Sequence, residues 1–213
     1  MLVHTHHVRS TIMMAVTVCL LACTTAWSVS SRAQTRSPGA PAWSPSGQLT
    51  RPTDYREWVY LTSGLGMTYG SAQAAAGQTP MFDNVFVSPD SYREFLRSGT
   101  WPDKTMFILE IREAPNNVSI NNGGRTQGGL VRMEASVKDR ARFPNGGWGY
   151  FSFDSPQGLA ASAAPLPATA PCYACHSTNT AVENTFVQFY PTLFEVAKRL
   201  GTIKPGYDPT HKP

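Results

Sequence analysis

Two cysteines separated by two residues and followed at once by a histidine, Cys172-Tyr173-Ala174-Cys175-His176, most directly imply chemistry in this 213-residue sequence. Thiols one helical turn apart can each form a thioether to the two vinyl groups of one haem, and the adjacent imidazole can then ligate the iron. The spacing therefore predicts one covalently attached haem c, with Cys172 and Cys175 as attachment points and His176 as axial ligand. Two other chemistries use similar residues. A structural zinc site wants four Cys or His ligands, and beyond residue 33 the chain offers only these three and His211. A thiol–disulfide centre wants a βαβ setting, whereas this motif follows an Ala/Pro stretch late in the chain.

The rest of the ligand inventory bears on the far side of the iron. His176 and His211 are the only histidines after residue 33, so a second histidine ligand is disfavoured. Met67, Met81, Met106 and Met133 remain as sulfur donors, but Met106 and Met133 fall in strand patterns where packing is the ordinary role. An electron-carrier cytochrome would usually place CxxCH near the start of a small helical fold. Here it lies near the end of a strand-rich chain, which favours an open coordination position.

The elements that must position this motif follow an export signal. Residues 1–33 combine a weakly basic start ending in Arg9, an apolar run from Ile12 to Ala22, and small residues around Ser31-Arg32-Ala33. Leu20-Leu21-Ala22-Cys23 also offers a lipobox, with Cys23 carrying lipid and the chain tethered to a membrane. Either way a bacterial periplasmic or otherwise exported location is expected. Without Arg9 and Arg32 the 18 basic residues become 16 against 14 acidic ones, a net +2 with no basic cluster, which excludes a nucleic-acid binder. Only 15% of residues are charged, and Gly and Pro contribute 17 each. That composition points away from a helical bundle.

Residues 34–52 read as an extended arm, 53–203 as the haem domain and 204–213 as a tail. Within the domain, Thr53–Thr62 reads as a helix capped by Thr53, and Phe82–Val87 as a strand. Pro89–Arg97 reads as a helix capped by Ser88 and presenting Tyr92, Phe95 and Leu96. Thr105–Arg112 is a strong strand with Phe107, Leu109 and Ile111 on one face and Met106, Ile108 and Glu110 on the other. Leu130–Lys138 alternates, with Val131, Met133, Ala135 and Val137 inward and Arg132, Glu134, Ser136 and Lys138 outward. Trp148–Phe153 adds a strand. Ala160–Pro171 has no core-forming power of its own, and Val182–Gly201 reads as helical, restarted at Pro191. The expected fold class is α+β: a mainly antiparallel sheet, flanking helices and a C-terminal CxxCH segment.

Four segments in order, DYREWVYL (54–61), NVFVSPDSYREFLRSGTWPDKTMF (84–107), EASVKDRARFPNGGWGYFSF (134–153) and CYACHSTNTAVENTFVQFYP (172–191), resemble the cytochrome P-460 family and its relative cytochrome c′-beta. The resemblance implies a homodimer and a single haem c whose sixth position meets nitric oxide, another small gas or a nitrogenous ligand. It also implies that electrons could pass to a partner cytochrome.

One departure divides the family's chemistries. The resemblance implies, for hydroxylamine-oxidising members, a lysine bonded to the porphyrin edge from the strand after a Pro-Asp-Gly-Thr turn. Here the turn is Pro102-Asp103-Lys104-Thr105, and the matching strand position is Leu109. The five lysines (104, 138, 198, 204 and 212) all lie elsewhere. Those members also carry a distal carboxylate near the WGYFSF strand. This strand has no acid before Asp154, and Tyr150 is the nearest match. The expected distal lining is therefore apolar and aromatic (Phe82, Phe86, Phe107, Leu109, Tyr150), closer to cytochrome c′-beta. Gas binding is the leading expectation. Oxidation of hydroxylamine or nitric oxide and simple electron transfer are the alternatives.

Overall fold

The computed structural model describes residues 37–69 and 79–210. Residues 1–33, expected to be an export signal with a lipobox at Cys23, and His211 lie outside them. The described residues form a five-stranded antiparallel sheet in the order β2-β3-β4-β5-β6, from Val59–Leu65, Met81–Val87, Met106–Glu113, Leu130–Lys138 and Trp148–Ser152. Four short strands in two pairs complete the set: β1 (Leu49–Thr50) pairs with β9 (Ser162–Ala163), and β7 (Asp154–Ser155) with β8 (Gly158–Leu159). The helices are α1 (Pro89–Ser98), α2 (Pro171–Thr178) and α3 (Pro191–Leu200). This is the expected α+β class. No helix among the described residues is long and apolar enough to cross a membrane.

The central strand β4 is apolar on both faces because the sheet is covered on both. On one face Val87, Phe107 and Tyr150 pack with Phe95 of α1, Trp101, and Leu193 and Val196 of α3. On the other, Phe86, Met106, Ile108, Met133 and Phe151 pack with Leu49, Tyr55 and Trp58. Two covered faces explain why the expected outward face of β5 is solvated only at its start: Arg132 is exposed, Glu134 and Ser136 are half-buried and Lys138 is buried. Lys138 is only 2% exposed, beneath the segment that joins α2 to α3, and forms an ion pair with Glu183. Val131, expected inside, is 43% exposed at the strand's open end.

Other expectations also change. Thr53–Thr62 is not a helix: one 3-10 turn (Tyr55–Glu57) leads into edge strand β2. The run Val59-Tyr60-Leu61-Thr62 gains more by pairing with β3 than its acidic first turn gains in a helix. Residues 37–50 pack against the second face, with Leu49 fully buried and Trp43 5.9 Å from Phe151. The Ala/Pro stretch likewise contributes buried Ala163 and a packed Leu166. Of Val182–Gly201, only α3 is an α-helix. Before it, the Gln188 side chain bonds the Asn179 carbonyl and the Ala181 amide, and the Thr185 hydroxyl bonds the Val182 carbonyl. Such local side-chain bonds compete with helical pairing. Helix α1 ends as expected on Gly99 in the left-handed conformation, but its Ser88 hydroxyl bonds Ser91 rather than a backbone amide.

Candidate functional site: a cavity beside the CxxCH helix

Pro171 opens α2 with the dihedral a first helical residue needs, so the two thiols fall one turn apart on a helix of eight residues. So short a helix has little stability alone. It is held from outside: the Tyr173 ring stands edge-on to Tyr150 at 4.8 Å, and the Tyr173 hydroxyl bonds the Leu166 carbonyl at 3.3 Å. Cys172 and Cys175 are both free, half-buried thiols. Burial, with Glu134 nearby, pushes the Cys172 thiol up, whereas a redox-active dithiol needs a depressed one.

Both cysteines and His176 open on a cavity of about 510 Å³. Its walls are mostly apolar: Val85, Phe107 and Leu109 from the sheet, and Phe186, Phe189 and Tyr190 from the segment before α3. The His176 ring is clamped between Tyr150 (4.5 Å) and Phe186 (4.7 Å), and its Nδ1 lies 2.8 Å from the Asn184 carbonyl. A carbonyl only accepts, so Nδ1 carries the proton and Nε2 is left with a free lone pair. Burial lowers the histidine's pKa, which keeps that lone pair available. The donor set, the apolar walls and the volume, inside the ~300–1,000 Å³ of pockets that enclose a cofactor-sized molecule, fit a haem.

Sheet register decides which expected lining residues reach this cavity. Val85 pairs with Leu109, Leu109 with Glu134, and Glu134 with Ser152, so these four share one face. Phe107 and Leu109 line the cavity. Phe82 and Phe86 alternate to the opposite face, where Phe86 packs on Tyr55 at 5.4 Å. Tyr150 touches the His176 ring rather than facing it across the cavity. Of the methionines, Met67 lines the cavity, Met106 and Met133 are buried in the other core, and Met81 is exposed.

The largest correction concerns charge. Asp83 and Glu134 line the cavity, so its wall is not free of acid. Burial raises both carboxyls above their ordinary range, with Arg132 pulling each back down. Tyr69 stands with them, its hydroxyl pushed up to about 12 by burial and these two carboxylates. Glu134 was readable as a member of the polar face of β5. Only the register shows that this face looks into the cavity.

None of the four lysines among the described residues lines the cavity. Lys104 takes a left-handed conformation (φ 69°) in the turn, where the resemblance places a glycine, and pairs with Asp139 at 2.5 Å. Lys138 is buried with Glu183, Lys198 pairs with Glu195, and Lys204 bonds Ser177 and Thr180.

An antiparallel sheet with flanking helices and a CxxCH helix opening on a haem-sized cavity defines a haem-binding α+β protein. The family model for cytochrome P460 matches residues 52–187, and the chain belongs to that family. Its cofactor is haem and the metal it binds is iron. No curated protein matches the chain.

Proposed function

We propose that the protein is an exported c-type cytochrome whose single haem is bound through Cys172 and Cys175. His176 Nε2 would ligate the iron, and a coordination position left open would take up nitric oxide or another small gas. When bound, the haem supplies an iron centre able to hold a diatomic ligand and to change oxidation state. The chain supplies the tautomer and orientation of His176 through Asn184, and walls that exclude water through Val85, Phe107 and Phe186. The observation that carries the reading is Leu109. It lines the cavity wall at the position where the resemblance puts the cross-linking lysine, which supports a likeness to cytochrome c′-beta.

A second reading, oxidation of hydroxylamine with electrons passed to a partner cytochrome, gains support from Asp83 and Glu134. Carboxyls with raised pKa values beside a cavity are suited to accepting and releasing protons. A simple carrier with Met67 as sixth ligand is the third.

Optical spectra of the ferrous protein, alone and with nitric oxide, separate the three. The leading reading expects an ordinary c-type spectrum with no methionine ligand and a new spectrum with nitric oxide. A strongly red-shifted Soret band, or hydroxylamine-dependent reduction of an added acceptor, would favour the enzyme. An unchanged spectrum with nitric oxide would favour the carrier. His176→Ala should perturb the Soret band and abolish normal ligand uptake.

A further inference from the structure

We infer that Lys138 and Glu183 are a positioning pair for the axial histidine, acting through the Asn184 carbonyl. The inference rests on the reading of His176 as iron ligand.

Glu183 and Asn184 are the central residues of a tight turn between α2 and the 3-10 turn Val187–Phe189, closed by the Thr185 amide donating to the Val182 carbonyl at 3.0 Å and lying outside any helix or sheet. The residue before it, Glu183, adopts a left-handed backbone conformation (φ 49°) that is uncommon for a non-glycine residue. Such a conformation persists only where its surroundings over-determine it. The turn's closing bond is part of that hold, and the Glu183 side chain ties it to the sheet. Its Oε2 accepts from Lys138 Nζ at 2.6 Å, and its Oε1 accepts from the Trp101 amide at 3.2 Å. Lys138 Nζ also donates to the Trp101 carbonyl at 2.5 Å. At the backbone of the same residue, the Thr180 hydroxyl lies 2.8 Å from the Glu183 carbonyl and 2.6 Å from that of His176.

The connection thus runs from the rigid end of β5, through an ion pair, to one strained residue. The next carbonyl accepts the Nδ1–H of His176 at 2.8 Å. Lys138 is almost wholly shielded from water, so its ammonium needs this carboxylate, and removing either charge leaves the other uncompensated. Relaxation of Glu183 toward ordinary dihedrals would reorient the peptide that ends in the Asn184 carbonyl. A hydrogen bond at Nδ1 raises the basicity of the ligating imidazole and tunes the metal. Weakening it makes His176 a poorer donor, which favours the ferrous state.

The test uses the haem-loaded protein and three variants: Lys138→Met, Glu183→Gln, and Glu110→Gln as a control that disturbs a buried polar network on the opposite face. Resonance Raman spectroscopy of the ferrous protein reads the iron–histidine stretch, and redox titration reads the potential. Both variants of the pair should lower the stretching frequency and raise the potential, and the control should change neither. If the single variants do not fold, the double variant, which leaves no charge buried alone, should show the same two shifts. An unchanged stretch and potential in folded variants of the pair would overturn the inference while leaving His176 as ligand. A wild-type stretch that survives His176→Gly would overturn the ligand reading and the inference with it.

Discussion

Glu110 and Glu134 sit on adjacent strands of one sheet, on opposite faces, and their surroundings push them in opposite directions. Burial alone would raise Glu110, but hydrogen bonds from Arg112 (2.7 Å), Tyr55 and Asn84 (3.0 Å) outweigh it and hold the carboxyl below its ordinary range. Burial likewise raises Glu134, and there only the neighbouring Arg132 pulls the other way, from 3.9 Å, while Asp154 and Asp83 push it further up. A buried carboxylate with both oxygens hydrogen-bonded is part of the scaffold. One that is partly desolvated, with a single cation nearby and a cavity beside it, is available for proton chemistry. The face, more than the residue type, sets the role.

The largest expected effect is on the cavity face. Replacing both Cys172 and Cys175 by Ala should leave no haem attached after acid–acetone extraction of the denatured protein, and retained covalent haem would end the attachment claim. Next comes the opposite face. Glu110→Ala strips a buried, fully bonded carboxylate from Arg112, Tyr55 and Asn84, and should cost about 3–5 kcal/mol in denaturant unfolding. A loss under ~1 kcal/mol would show that the network is not what holds that face.

Acid titration of stability sharpens the contrast in sign. The folded-state pKa of Glu110 is depressed, so its contribution is present above the unfolded carboxylate value of about 4.3 and lost as pH falls through the folded value. Glu134 is raised, so its contribution is present below that unfolded value and lost as pH rises through the folded one. Unfolding free energies from pH 3 to 7 should therefore change in opposite directions for Glu110→Gln and Glu134→Gln relative to wild type. Parallel curves would erase the distinction. The smallest effect is Glu134→Gln at pH 7, where stability should hold within ~0.5 kcal/mol or rise slightly, because a desolvated charge is removed. A large loss would make Glu134 a structural residue like Glu110.

Much of this was legible in the sequence, and the gaps have physical causes. The CxxCH spacing, the alternation of β4 and the Pro/Gly boundaries of α1 are local signals, and each stands where the sequence placed it. The two-sided cover of the sheet is not local. Lys138 looked solvated because alternation separates two faces without saying what lies over each. Phe82 and Phe86 share aromatic character with Phe107, but odd and even positions of β3 face opposite ways. Asp83 and Glu134 carry no local signal for the cavity: the resemblance points to an acid near the WGYFSF strand, while the register brings acids from β3 and β5. The Asn184 carbonyl that orients His176 is a backbone group in an irregular segment and has no sequence signature.

The central claim is a haem held by two cysteines and no lysine, with Leu109 on the wall of its cavity. Mass spectrometry of the proteolytic haem peptide from the denatured protein tests it most directly. The expected result is one haem on the Cys172–His176 peptide, bound through two thioethers and joined to no other segment. A peptide carrying a third protein–haem bond, from any lysine, would contradict the account and place the protein with the hydroxylamine-oxidising members of its family.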